Sequence, residues 1–513
     1  MYQVLLDNFV DILFIDVAIP HTFGVHDDDG AFMAAIQASG TIDAHPALAV
    51  QLTRFTLGLG IVAQRLRPRI LTTARAVVAL VSTKKYVLAI IRGLRHGQAP
   101  DMRGNTRYYT SLSPLREPIV SPAPPPIIRT LLAAADQCVL CGLCSAQCPT
   151  YGLYQIESES PRGRIVLIQA LLKGQLAPDA ATRSYLDHCL SCRRCEAQCP
   201  SGVPYGQLID GVKAWVPGAA TRRRTWAMTL LTRAPTLRAA LRRLVSFLPA
   251  MLLPKWAAVI KHYARRSTHA TPTPSSPPRI MLFTGCITEL ADQAAVHAVQ
   301  RLCAALGVEI ATPATAHCCG ALALHSGQHA QWQALMYANG AQLNHQYDQL
   351  LGLTPGCTAA LLEYAHSDHP AARALAGKVA DVGTYLAHHP RWASLRFRST
   401  PKRVGIHLPC TQRNVLKDHR STSFLLQSIP GLELIALPEL PACCGAAGTH
   451  MLYFSQQAQA LRAPLLDFIR AQRLDYVVST NIGCALHVTE GLWNDTPPVR
   501  VLHPLTLLAE ALA

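Results

Sequence analysis

The 513-residue chain has no stretch of eighteen uninterrupted apolar residues: "MYQVLLDNFVDILFIDVAI" is broken by Asp7, Asp11 and Asp16, and "AVVALVSTKKYVLAII" by Lys84 and Lys85. A membrane-spanning helix is therefore not expected. The first residues also lack the basic n-region and small-residue cleavage site of a secretory signal, so a cytoplasmic location is the expectation. The scattered cysteine spacing of a secreted disulfide framework is missing as well. Seventeen cysteines, an odd total, fall mostly in tight clusters, and in a reducing compartment such clusters point to metal or redox chemistry. At this length the chain can bury a substantial core over two to four domains without covalent staples.

Charge of one sign is absent from two segments. Residues 1–53 carry seven Asp and no Lys or Arg, whereas residues 222–266 carry eleven Lys or Arg and no acid. Nucleic acid is not an expected partner, because no zinc-finger histidine pair or RNP-like aromatic run accompanies the basic stretch. With Trp226, Phe247 and Trp256 in it, the stretch suits anionic lipid, which would place the chain peripherally at the inner face of the cytoplasmic membrane. It suits equally the neighbouring cysteine-rich module or an acidic partner subunit, and Pro235, Pro249 and Pro254 interrupt any long helix there. Residues 1–115 hold no cysteine, and their "GLGIVA" has neither a clear preceding strand nor an acid about twenty residues on, so it is not read as a dinucleotide loop.

Two Pro-rich stretches, "SPAPPP" at 121–126 and "THATPTPSSPP" at 268–278, read as boundaries. Between them lie two copies of a twelve-residue signature, "CVLCGLCSAQCP" and "CLSCRRCEAQCP". CxxCxxCxxxCP is a 4Fe-4S pattern: three thiolates at two-residue steps wrap one cluster, and the fourth, turned away by the proline, ligates the other. Cys138, Cys141, Cys144 and Cys199 are accordingly assigned to one cluster, and Cys189, Cys192, Cys195 and Cys148 to the second. Zinc also accepts four thiolates, but zinc knuckles rarely use this triple step with a trailing CP. Helix formers such as "GRIVLIQALLKGQLA" fill the 41-position step from Cys148 to Cys189, so this part resembles the helical ferredoxin domain of respiratory iron-sulfur subunits. Arg162 and Arg164 of "ESPRGR" read either as partners of a net-negative cluster or as solvated residues at a helix start.

The remaining half repeats itself. Cys286, Cys318 and Cys357 are separated by steps of 32 and 39, and Cys410, Cys443 and Cys484 by steps of 33 and 41; Cys319 and Cys444 double the middle member into "CCG". The period is that of an internal duplication. Each cysteine lies just beyond an apolar, β-branched run, with helix-like segments such as 289–306 and 455–472 between runs. That is the form of parallel strands joined by helical crossovers, whose carboxyl ends gather ligands. The fold class expected is α+α/β: a helical 4Fe-4S ferredoxin domain followed by two duplicated α/β CCG-type repeats. Its divisions are an unassigned extension over 1–115, the ferredoxin domain over 120–210, a basic connector over 211–278, and repeats over 279–365 and 403–491.

Tandem ferredoxin motifs followed by two CCG repeats resemble the iron-sulfur subunits of glycolate oxidase. "SPRGRI", "CCGALALHSG", "HLPCTQRN", "CCGAAGTHM" and "NIGCALH" carry the resemblance, which covers about 115–513 and leaves the first 115 residues as an extension or as upstream sequence read from a misplaced start. It implies an electron-transfer subunit of a complex oxidising glycolate to glyoxylate. Separate flavin subunits would take the hydride, and this chain would pass electrons singly towards quinone or another acceptor. Subunits of lactate and glycerol-3-phosphate dehydrogenases and of heterodisulfide reductases share the architecture. In the last of these each full repeat ends in CxxC and its five cysteines hold an unusual cluster, whereas here Cys357 and Cys484 have no such partner. Cys410, Cys443, Cys444 and Cys484 are the candidate third cluster, with His487 able to substitute at the missing position; the alternative reading of both repeats is a purely structural remnant. Cys286, Cys318, Cys319 and Cys357 are the weaker counterpart. His317 and His407 read as backbone partners, and Cys303 as a core residue.

Overall fold

The computed structural model describes residues 126–216, 259, 279–313, 317–343, 347–439 and 443–513. The extension, its "GLGIVA" and, but for Val259, the basic segment 222–266 fall outside these residues.

The cysteine-rich first part is built from helices, among them Pro126–Asp136, Pro149–Tyr154, Pro161–Leu172, Ala180–Asp187, Arg194–Ala197 and Tyr205–Trp215. Their starts follow from local chemistry. Ser160 caps Pro161–Leu172 by accepting the Gly163 amide at 2.8 Å, with Pro161 at a position that needs no amide donor. Asp179 caps Ala180–Asp187 through the Thr182 amide at 2.7 Å. Ile165, Ile168 and Leu171 form one helix face against Leu131, Leu186, Leu208, Ile209 and Val212. Burying each such aliphatic side chain contributes about 1.5–3 kcal/mol.

Two four-stranded parallel sheets follow. Strands β1 (Ile280–Phe283), β2 (Ile310–Ala311), β3 (Gln349–Gly352) and β4 (Val379–Asp381) lie in the order β2-β1-β3-β4. Strands β5 (Lys402–His407), β6 (Leu432–Ala436), β7 (Tyr476–Ser479) and β8 (Arg500–Leu502) lie in the order β6-β5-β7-β8. The duplication read from cysteine spacing is thus a duplication of topology. In both sheets the order reverses beside the first strand, and a crevice opens at the carboxyl ends of the strands flanking that switch point. Cys286 and Cys410 open the helices after β1 and β5, while Cys357 and Cys484 sit in the first turn of the helices after β3 and β7. The repeats share one apolar core: Leu282, Val299, Leu302 and Leu351 of the first pack with Val404, Leu425, Val478 and Leu508 of the second. Cys303 is fully buried in it, and burial pushes its thiol up to about 12, in keeping with a packing role.

Candidate metal centres

The eight cysteines of the twelve-residue motifs line two adjacent cavities, with Cys195 in the walls of both. Cys138, Cys141, Cys144 and Cys199 line one, with Val139, Leu143, Ile165 and Val203 in its walls. Cys148, Cys189, Cys192 and Cys195 line the other. Each fourth cysteine faces the opposite motif's set. The loops curl inward by the same device, since Leu140 and Gly142 in the first motif and Ser191 and Arg193 in the second, at matching positions, all have positive φ. Pro161, Cys195 and Tyr205 line both cavities, which therefore share a wall. Burial pushes the Cys144, Cys192 and Cys195 thiols above their ordinary range, and the neighbouring sulfurs raise them further. Several thiolates so close together need a cation to hold them deprotonated, which a metal cluster supplies. The donor sets fit two iron-sulfur clusters.

Arg164 lies under the second cavity and is 1% exposed. It donates through Nη1 to the Thr150 hydroxyl at 3.0 Å and the Glu159 carbonyl at 2.5 Å, with the Cys148 sulfur at 3.9 Å, and through Nη2 to the Glu159 carboxylate at 2.5 Å. Burial opposes its charge, but Tyr205, the Cys189 and Cys148 sulfurs and Glu159 outweigh that and hold the proton more tightly than usual. His188 Nδ1 closes the network on the other carboxylate oxygen of Glu159 at 2.5 Å. Arg162 instead pairs with Glu157 at the surface and reaches the Leu140 carbonyl of the first motif at 3.3 Å. Of the two readings of "ESPRGR", Arg164 takes the first, beside a cysteine; Arg162 is a half-exposed residue at a helix start that steadies the first loop.

In the repeats, cysteines distant in sequence converge at the strand ends. Cys286 Sγ lies 3.3 Å from Cys318 Sγ, and the Cys357 sulfur is close enough to Cys319 to help raise that thiol. In the second repeat Cys444 Sγ lies 2.8 Å from Cys484 Sγ, and the latter is also influenced by Cys410 and Cys443. The glycine of each "CCG" has a steric reason. Gly320 and Gly445 have φ of 84° and 70°, and a Cβ would come within 2.8 Å of Trp332 at the first and 2.2 Å of the Ala458 carbonyl at the second. His487 has its Nδ1 engaged by the Cys444 carbonyl oxygen at 2.6 Å and is not part of the close histidine–cysteine trio there. His407 is the histidine beside them. Its ring, with Nδ1 3.0 Å from the Ser479 hydroxyl, forms a close trio with Cys444 and Cys484. His317 offers its backbone amide to Asn339 at 3.0 Å.

The second cysteine set faces the second repeat. Asn414 donates to the Cys192 carbonyl at 2.8 Å, Arg194 donates to the Glu439 carbonyl at 3.0 Å, and the Cys410 sulfur raises the Cys192 thiol after burial. Towards the first repeat, Arg193 pairs with Glu363 at 2.5 Å and His325 with Asp210 at 3.1 Å.

Comparison with known proteins accords with this geometry. Residues 134–203 match the 4Fe-4S dicluster domain, and residues 280–362 and 404–489 each match the cysteine-rich domain. The chain carries one dicluster domain and a duplicated cysteine-rich domain. It is 28% identical over 417 residues to the probable glycolate oxidase iron-sulfur subunit of Bacillus subtilis (strain 168), covering 73% of this chain and 93% of that one. It is 29% identical over 388 residues to the glycolate oxidase iron-sulfur subunit of Escherichia coli (strain K12), covering 68% and 89%. Lactate utilization protein A of Geobacillus thermodenitrificans (strain NG80-2) is 26% identical over 234 residues, 44% of this chain and 96% of that protein. The motif resemblance to glycolate oxidase iron-sulfur subunits therefore extends over most of the chain.

The contacts between the dicluster domain and the cysteine-rich domains were beyond sequence reasoning. One available signal was missed. Aligning the repeats sets Phe283 against His407 and Gly352 against Ser479, a polar pair where its twin is apolar.

Proposed function

We propose that the chain is the electron-transfer subunit of a glycolate-oxidising complex. Flavin subunits would remove a hydride from glycolate, and this chain would carry the two electrons one at a time towards quinone or another acceptor. The observation that carries the reading is the sorting of eight cysteines into two cavities with shared walls, the second abutting Cys410 of the second cysteine-rich domain. Cys138, Cys141, Cys144 and Cys199 would hold one 4Fe-4S cluster, Cys189, Cys192, Cys195 and Cys148 the other, and the set around Cys410, Cys443, Cys444 and Cys484 a third metal centre. The functional divisions would be 120–210, 279–365 and 403–491.

Exposed apolar residues around the first cavity support partner contact there: Val139 is 68% exposed and Leu143 60%. Among the described residues no helix is long and apolar enough to cross a membrane. Delivery to quinone would use peripheral contact from the cytoplasmic side, for which the composition of residues 222–266 is the support.

The test is anaerobic co-purification with the flavin subunits followed by dye reduction with glycolate, D-lactate and glycerol 3-phosphate. Reduction by glycolate alone supports the proposal. Reduction by D-lactate or glycerol 3-phosphate alone would assign the chain to that dehydrogenase instead.

A further inference from the structure

The two cysteine-rich domains differ where their sheets end. The last paired residues of β1 and β3 are Phe283 and Gly352, whereas those at the matching end of β5 and β7 are His407 and Ser479. Phe283 is buried among apolar neighbours. His407 has its Nδ1 held by the Ser479 hydroxyl at 3.0 Å, which fixes the ring and leaves Nε2 as the free donor. The His407 ring nitrogen, Cys444 Sγ and Cys484 Sγ all lie within 4.8 Å of one another. Donors of one tetrahedral metal atom stand roughly 3.5–3.8 Å apart, given metal–sulfur bonds near 2.3 Å and metal–nitrogen bonds near 2.0–2.1 Å, so the two sulfurs, 2.8 Å apart here, would spread by about 1 Å on binding. A cubane instead offers a separate iron to each thiolate and spreads them. Among the described residues the eight dicluster cysteines form no such trio.

We propose that the second cysteine-rich domain holds a metal atom bound jointly by His407 Nε2 and the Cys444 and Cys484 thiolates, with Cys410 or Cys443 completing its shell. This rests on the third centre proposed above and adds a nitrogen ligand to it. Imidazole with thiolate suits zinc and iron alike. The Nδ1–H of His487, donated to the Cys444 carbonyl, positions one ligand from behind. The first domain, with phenylalanine in place of the histidine, has an all-sulfur set.

The test uses anaerobically purified full-length protein in its wild-type form and as His407→Phe, the residue its twin carries, and Ser479→Ala. Metal analysis is combined with X-ray absorption at the zinc and iron edges, and with nitrogen hyperfine spectroscopy after ¹⁵N-histidine labelling. The expected wild-type result is metal beyond the iron of two cubanes, with one directly bound histidine nitrogen. His407→Phe should abolish that nitrogen signature while the dicluster spin-resonance signals persist. Ser479→Ala should retain the nitrogen but lose the metal to a chelator about 10–100-fold more readily, and it carries the test if His407→Phe does not fold. A folded His407→Phe protein with unchanged metal and nitrogen spectra would overturn the proposal. So would wild-type protein with no metal beyond the cubanes. Missing dicluster signals in the wild type would count against the relay reading alone.

Discussion

Replacing Arg164 by Gln removes a buried positive charge 3.9 Å from the sulfur of Cys148. At an effective dielectric of about 20, a full unit charge at that distance interacts by about 4 kcal/mol. Reduction adds one electron to the cluster as a whole. If about a quarter of it were to reside at the corner that Cys148 would ligate, the lost stabilisation would be about 1 kcal/mol, and placing all of it there sets the upper bound. One electron at about 59 mV per 1.4 kcal/mol converts this range to about 45–180 mV. Arg164→Gln should therefore lower the potential of the second cluster by at least about 45 mV and leave the first cluster nearly unmoved. Little solvent screening is available, because the guanidinium is 1% exposed.

The substitution also strands the buried Glu159 carboxylate, at a stability cost of about 3–5 kcal/mol. Glu159→Gln/Arg164→Gln removes both charges together and should give a potential between those of the wild type and the single variant. The assay is a spin-resonance redox titration of proteins verified for full iron content. A fall of less than about 10 mV, or any rise, in a fully loaded Arg164→Gln protein would refute the electrostatic argument.

Four further outcomes are expected. Cys443→Ala should remove metal from the second cysteine-rich domain with both dicluster signals retained, read by metal analysis and spin resonance. Gly445→Ala places a Cβ within 2.2 Å of the Ala458 carbonyl at a φ of 70° and should destabilise by more than about 1 kcal/mol, seen as a lower denaturation midpoint. His503, 5% exposed, accepts the Leu505 amide at the start of the last helix, and burial lowers its pKa to about 4. Its contribution is complete above about pH 6.5, where the unfolded chain is also neutral, shrinks as the unfolded chain binds a proton, and is lost by about pH 4. His503→Asn keeps the cap and should flatten the acid side of the stability profile by up to about 3 kcal/mol. Leu143→Glu, at the exposed rim of the first cavity, should slow electron transfer from the flavin subunits in stopped-flow measurements and leave the cluster spectra unchanged.

What could be read in advance follows from how far apart the interacting residues stand. The two motifs are local, so the chemistry of "CxxCxxCxxxCP" is legible within twelve residues. The repeat period, set by one strand and its crossover, exposes the sheets because each apolar run ends at a cysteine. His487 shows the same limit: it stands one helical turn beyond Cys484, and sequence distance does not reveal that this turn carries its Nδ1 to the Cys444 carbonyl. His407 and Ser479 stand 72 residues apart and meet only because β5 pairs with β7 in register. Asn414 stands 222 residues from the Cys192 carbonyl it holds, and no periodicity encodes that docking.

These long-range contacts also make the duplicated halves unequal. The second repeat brings Cys410 against the second cysteine set and carries a histidine beside its sulfurs, whereas the first meets the dicluster domain through ion pairs such as Arg193–Glu363 and keeps phenylalanine at the matching place. In the proposed relay, the contact through Cys192 and Asn414 would put the second repeat next to the second cluster. The first repeat also holds the dicluster domain through Arg193–Glu363, and because Arg193 lines the second cavity beside Cys192, cutting that pair should loosen the docking and the second cysteine set together.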